Sequence, residues 1–463
     1  MSRPIKLVSP VDGLVYAERQ AAEPADIERA LAAANQAQLE WKRRPLAERA
    51  AFCTAAVDAM VAMRDEIVPE LAWQMGRPVR YGAGELRGFE ERARYMIAIA
   101  AEALAPVDPG PKAGFKRQVK REPLGTVLVI APWNYPYLTA VNSIVPALMA
   151  GNSVILKHAT QTLLVGERFA EAFCRAKLPS GLFQNIVLDH EQTAQIIGSG
   201  RVHQVNFTGS VSGGRAMESA AVGKFLGLGL ELGGKDPAYV RADADIAHAV
   251  ENLVDGSFFN SGQSCCGIER IYVDRRIYPG FVERFVALTR QYVLGNPLDQ
   301  ATTLGPMIKP AAAEFVRRQI AEAVAMGAKA LIDPADFPAD APGTAYLAPQ
   351  VLVEVNHQMS VMRDESFGPV VGIMAVDSDE QAIGLMNDSE FGLTASIWTS
   401  DLQAAERIGD EIETGTVFMN RCDALDPALA WTGVKNTGRG ATLSRIGYET
   451  LTRPKSFHLR HEI

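Results

Sequence analysis

Between residues 23 and 63 the apolar side chains recur every three to four positions among Ala, Leu, Glu and Arg, the period of an amphipathic helix. The same period returns over 82–104, "GAGELRGFEERARYMIAIAAEAL". From 125 the pattern changes. Short apolar runs, "TVLVIA" (126–131), "SVILKH" (153–158) and "QNIVL" (184–188), read as buried strands, and "VHQVNFTGS" (202–210) carries a fourth. Helices are predicted between and after them at 140–151, 162–177 and 214–222, leading to "FLGLGLELGG" (225–234). Such alternation predicts a parallel sheet covered by helices on both faces, which binds ligands at the carboxyl ends of its strands. A second α/β region follows. Its helices are expected at 244–259, 280–293, 310–327, 379–387 and 402–413, and its strands at 268–273, 350–353, 370–376, 394–398 and 415–419. "KRQVKREP" (116–123) and the tail "YETLTRPKSFHLRHEI" read as exposed arms, and the Pro-rich 333–349 as a surface loop.

The chain has 463 residues, 48% of them hydrophobic, enough for two or three domains. A net charge of -8 and a pI near 5.6 give no basic surface for nucleic acid or anionic membrane. No secretory leader and no membrane span are expected, because charges, Gly or Pro interrupt every apolar run. Five scattered cysteines, 53, 174, 265, 266 and 422, suggest neither a disulfide framework nor a zinc site. The expectation is a cytoplasmic protein with reduced thiols and no metal.

Two of those cysteines are adjacent, in "FFNSGQSCCGIER" (258–270). An intracellular cysteine is usually a small buried hydrophobe, so context must argue for anything more. That context comes from "PWNYP" (132–136), "FTGS" (207–210), "LELGGKDP" (230–237), "GQSC" (262–265) and "ESFGPV" (365–370). In this order and spacing the motifs resemble those of the aldehyde dehydrogenase superfamily over nearly the whole chain. The resemblance implies an α/β fold with a parallel-sheet cofactor domain, an α/β catalytic domain and a small β-arm for oligomerisation. It places a dinucleotide-binding domain at 1–104 and 122–230, a catalytic domain at 231–435, and the arm at 105–121 and 436–463. A homodimer or homotetramer is implied as well.

The resemblance assigns the nucleophile to Cys265, two residues after Gln263, and leaves Cys266 to packing. A thiolate adds to an aldehyde carbon to give a thiohemiacetal, and Gly262 leaves the backbone room to turn there. Asn134 and the Cys265 N–H would stabilise the oxyanion. Hydride must then leave for NAD or NADP, and the resulting thioester must be hydrolysed. Glu231 matches the general base, and its apolar neighbours Leu230 and Leu232 should raise its pKa. Were it instead a structural ion pair, Lys235 would be the first partner to check.

Cofactor contacts carry over to Lys157, Gly209, Ser210, Leu232, Glu365, Phe367 and Trp133. Thr160 stands where many members have a glutamate that binds the adenosine ribose, which leaves a place for NADP beside Lys157 and His158. The tunnel for a small-molecule aldehyde would be lined by Tyr135, Phe259 and Trp431, the last replacing a common Phe. Which of Arg421, Asp423 and Asp426 faces it is open. The expected reaction is NAD(P)-dependent oxidation of an aldehyde to its acid. Acyl transfer to coenzyme A and a non-catalytic protein on the same fold are the alternatives. Glu231 argues against the first, and the intact set of Cys265, Glu231 and Asn134 against the second.

Overall fold

The computed structural model describes residues 3–462; Met1, Ser2 and Ile463, which fall within the expected 1–104 and 436–463 segments, lie outside the described residues. Two sheets organise the α/β fold. The first has six strands in the order Gly438–Arg439, Gly227–Glu231, Gln204–Thr208, Thr126–Ala131, Ser153–His158 and Phe183–Asn185. All neighbours are parallel except the Gly438–Arg439 edge. The second has seven, in the order Lys329–Ala330, Gln350–Val353, Val370–Val376, Ile268–Asp274, Asp236–Val240, Thr394–Trp398 and Thr416–Met419. Only its Lys329–Ala330 edge is antiparallel. Thr126–Ala131 and Ser153–His158 are buried throughout, which accounts for their unbroken apolar runs.

Several elements differ from expectation for local reasons. The helical stretch 23–63 divides into Pro24–Trp41 and Leu46–Ala62 around Pro45, which has no N–H to continue the first helix. Asp236–Val240, central to the second sheet, was hidden by its proline. Pro237 is tolerated because it sits where the register against Ile268–Asp274 shifts, and pairing with Thr394–Trp398 begins only at Ala238. A hairpin of Pro4–Val8 with Val15–Gln20 and a helix at Arg64–Met75 were also not anticipated.

Phe115–Pro123 pairs antiparallel with Thr452–Arg460 from end to end, Phe115 opposite Arg460 and Pro123 opposite Thr452. This ribbon joins neither large sheet. Among the described residues, no helix is long and apolar enough to cross a membrane.

Candidate active site

The strand order of the first sheet reverses around Thr126–Ala131 and Gln204–Thr208, so the loops leaving their carboxyl ends open a crevice there. The first loop carries Trp133, Asn134 and Tyr135, and the second Gly209 and Ser210. Glu231 ends the adjacent strand and Lys157 is the next-to-last residue of Ser153–His158. From the second sheet come residues at strand beginnings: Cys265 precedes Ile268–Asp274, and Glu365 and Phe367 precede Val370–Val376.

A buried ion pair fixes the Asn134 loop. Arg77 pairs with Glu85 and donates through Nη2 to the Asn134 carbonyl at 2.6 Å. Glu85 Oε1 accepts the Tyr137 and Leu138 N–H groups at 2.9 and 3.1 Å, at the start of the helix Pro136–Ala150. Arg77 also lies 4.6 Å from the centre of the Tyr135 ring. The Asn134 side chain is then aimed by Gln263, whose carbonyl accepts its Nδ2 at 3.2 Å. One of the two amide hydrogens is spent in this way and the other remains for a ligand.

The cysteine loop is strained on the approach to Cys265. Asn260, Ser261 and Gly262 have φ of 55°, 56° and 68° in succession. At Gly262 a side chain would also run into the Gly368 carbonyl, so glycine is required twice over. Asn260 holds this turn, donating to the Asn134 and Gln263 carbonyls at 3.2 and 3.1 Å. Cys265 is half-buried at a cavity of about 290 Å³. Cys266 is buried and its Sγ–H donates to Asp423 Oδ1 at 2.9 Å. Hydrogen bonding with Cys265, burial and the Asp423 charge together push the Cys266 thiol well up. Both cysteines line the cavity, and Cys265 is the more exposed of the two.

Glu231 lines the same cavity. Burial raises its pKa, while two hydroxyls oppose the rise: Thr442 Oγ1 donates to Oε1 at 2.6 Å and Thr208 Oγ1 to Oε2 at 3.1 Å. Lys235 is not its partner. That ammonium is paired with Glu269 and donates to Ser366 Oγ at 3.1 Å.

Tyr135, Phe259 and Trp431 all line the cavity, as expected of a tunnel. Of the three charged residues left open by sequence, Asp423 faces it, whereas Arg421 and Asp426 are exposed and are not among its lining residues. Burial pushes the Asp423 carboxyl up to about 6, and Ser264 Oγ donates to it at 3.2 Å. Arg92, Thr208, Thr442, Arg77 and Glu85 belong to the site or its frame and were not picked out from sequence. Thr208 stands inside the "FTGS" motif without a role read from it, and no local motif marks the other four, because each acts on a residue distant along the chain.

The cofactor-side residues occupy the other face of these loops. Ser210 is the N-cap of Val211–Ala221, accepting the Gly213 N–H at 3.1 Å at a helix end suited to phosphate. Gly209 packs on the Phe207 ring, which a side chain would meet at 2.7 Å, and Leu232 is buried against Gly214 of that helix. Glu365 accepts the Gly234 N–H at 3.0 Å, and burial raises its pKa to about 7. Trp133 and Phe367 pack edge-to-face, with ring centres 5.6 Å apart. Phe367 is held with φ of 48°, its N–H on Glu269 Oε1 at 2.9 Å. Lys157 is nine-tenths buried and its ammonium has no ion-pair or hydrogen-bond partner among the described residues. Burial lowers its pKa, an unfavourable state that an incoming acceptor relieves.

His158 departs from expectation. Its Nε2 donates to the Pro136 carbonyl at 3.3 Å, its Nδ1 lies 3.0 Å from Thr162 Oγ1, and burial lowers its pKa to about 3. It is therefore neutral and supplies no cation. Thr160 begins a short 3-10 turn, Thr160–Thr162, ahead of the helix Leu163–Arg175. The cap positions are Ala159 and Thr162, so Thr160 is not a helix cap, and its hydroxyl is not committed to one.

Known proteins resemble this chain over nearly its whole length. The aldehyde dehydrogenase family model matches residues 1–457. A succinate-semialdehyde dehydrogenase [NADP(+)] of Mycolicibacterium paratuberculosis is 32% identical over 456 residues, 98% of this chain and 96% of the relative. A betaine aldehyde dehydrogenase of Agrobacterium fabrum is 33% identical over 98% of this chain and 92% of its own. The NADP-dependent glyceraldehyde-3-phosphate dehydrogenase of Bacillus halodurans, solved with NADP, superposes with a TM-score of 0.93 at 30% identity, covering 99% of this chain and 96% of the other.

Proposed function

The chain belongs to the aldehyde dehydrogenase family and is an NAD(P)-dependent oxidoreductase, and on that premise we propose how its residues divide the work. Cys265 is the nucleophile. Its thiolate adds to the aldehyde carbon, and the carbonyl oxygen takes up negative charge facing the free Asn134 amide hydrogen and the Cys265 N–H. The nicotinamide, when bound, accepts the hydride that leaves this carbon. Cys265 then holds the acyl group as a thioester. Glu231 takes a proton from water as the water adds to the thioester carbon, and the acid leaves with the thiol restored. The observation that carries this reading is the convergence of Cys265 and Glu231 on one cavity, with Asn134 tied to Gln263 beside it.

A nicotinamide dinucleotide fits the residues on the other side. Lys157 offers a buried, unpartnered cation for the adenosine ribose, the Ser210 helix end offers N–H groups for the pyrophosphate, and Glu365 offers acceptors for the nicotinamide ribose. Trp133, Phe367, Gly209 and Leu232 shape the path between them. We assign this role to 1–104 and 122–230, and catalysis to 231–435. The arm, 105–121 and 436–463, most of whose ribbon pairs Phe115–Pro123 with Thr452–Arg460, is assigned to self-association in a cytoplasmic dimer or tetramer.

Transfer of the acyl group to coenzyme A needs no carboxylate base, so a carboxylate held by two threonines beside the thiol favours hydrolysis. Glu231→Gln is the test. The variant should give a burst of reduced cofactor of up to one per site and then a slow steady state. Full steady activity would remove Glu231 from the mechanism, and loss of the burst would assign it to thiol activation instead.

A further inference from the structure

Arg92 projects from the helix Val79–Ala103 into the catalytic cavity, and the reaction above gives it no task. It is 9% exposed. Its Nη1 donates to the Leu138 carbonyl at 2.8 Å and lies 3.4 Å from Asn142 Oδ1. Among the described residues Nε and Nη2 make no hydrogen bond, and no carboxylate is within ion-pair distance. Glu85, whose charge acts on it most, is committed to Arg77. A guanidinium stays charged in proteins, and a buried cation without a counter-ion is unfavourable until an anion completes it. Its planar fork matches a carboxylate.

The other charges facing the cavity are Glu231, Asp255 and Asp423. Glu231 is held by its two threonines, and Asp423 is turned to Ser264 and Cys266. Asp255 also lines the outer vestibule with Glu251, which puts it at the mouth. Arg92 alone supplies positive charge to the cavity lining. Its anchors, Leu138 and Asn142, follow Asn134 by four and eight positions along the helix Pro136–Ala150. Arg92 and Cys265 line one cavity of about 290 Å³, a volume suited to a short chain.

We propose that Arg92 determines specificity by gripping the carboxylate of a short aldehyde acid, whose carbonyl end then meets Cys265. This rests on the dehydrogenase reading. The test compares kcat/KM for 4-oxobutanoate, butanal and 3-aminopropanal in the wild type, Arg92→Gln and Arg92→Lys, with NAD(P). The wild type should favour 4-oxobutanoate over both others by tenfold or more. Arg92→Gln should lower its kcat/KM about 100-fold, or ~2.7 kcal/mol, mainly through KM. Butanal has nothing for the guanidinium to hold and should lose far less, while Arg92→Lys recovers part of the preference. Equal losses for 4-oxobutanoate and butanal would make Arg92 a structural residue and overturn the proposal. So would a wild type indifferent to the carboxylate, or one that favours 3-aminopropanal, an outcome that hands selection to Asp255 and Asp423. If no aldehyde is oxidised at all, the dehydrogenase reading fails first. The wild-type panel and Arg92→Lys keep the test decisive should Arg92→Gln not fold.

Discussion

Thr442→Val isolates the tuning of the general base. Thr442 Oγ1 donates the shorter of the two hydrogen bonds received by Glu231, at 2.6 Å. Its backbone is held independently by the reciprocal bonds to Trp431, both 2.9 Å, so an isosteric valine should leave the chain in place. A hydrogen bond to a charged group contributes about 1.5 to 3 kcal/mol. All of it favours the ionised carboxylate, and one pKa unit corresponds to about 1.4 kcal/mol. Losing it should raise the Glu231 pKa by about 1 to 2 units, in the direction in which burial already pushes it. Only the ionised form can take a proton from water. The acid limb of steady-state turnover should therefore move to higher pH by that amount, while the burst of reduced cofactor persists at pH values where deacylation has slowed. Stopped-flow absorbance across pH gives both phases from one trace. An acid limb that stays where it was, with deacylation rate-limiting, would refute the claim that this carboxylate activates the water. Thr208→Val, at the longer 3.1 Å contact, should produce a smaller shift of the same sign.

Cys265→Ala should abolish turnover and Cys266→Ala should retain most of it, since Cys265 is the more exposed of the two and the Cys266 thiol is committed to Asp423; steady-state rates of the two variants decide this. NADP should be used within about tenfold of NAD, roughly 1.4 kcal/mol, because Thr160 cannot repel a 2′-phosphate and Lys157 can attract one. Thr160→Glu should then move kcat/KM towards NAD, and an unresponsive enzyme would show that this position does not read the ribose. Sedimentation at micromolar concentration should give a dimer or larger species, and a monomer would leave the Phe115–Pro123 ribbon without its assigned role.

The sequence by itself determined what depends on neighbours along the chain. Runs such as 126–131 and 153–158 read as buried strands, since they are too short for a helix and rich in Val, Ile and Leu. The resemblance to the family's motif, with its nucleophile two residues after the Gln, picked Cys265 over Cys266, and Gly262 signalled a turn because glycine alone adopts a positive φ at little cost. Pro237 misled, because a proline argues against a central strand until the register shift that accommodates it is known. The tertiary structure decided what depends on contact between distant segments. Thr442 reaches Glu231 across 211 positions, and Arg77 holds the Asn134 carbonyl across 57. His158 sits beside a lysine in sequence and reads as a second cation, yet burial makes it neutral. Arg92 looks like an ordinary surface charge in the chain and Asp423 is one of three charges that could face the tunnel; only packing turns both to the cavity. Charge state follows from burial and from which groups are near. Neither is local in sequence, so the residues that tune this site could be found only once the chain was folded.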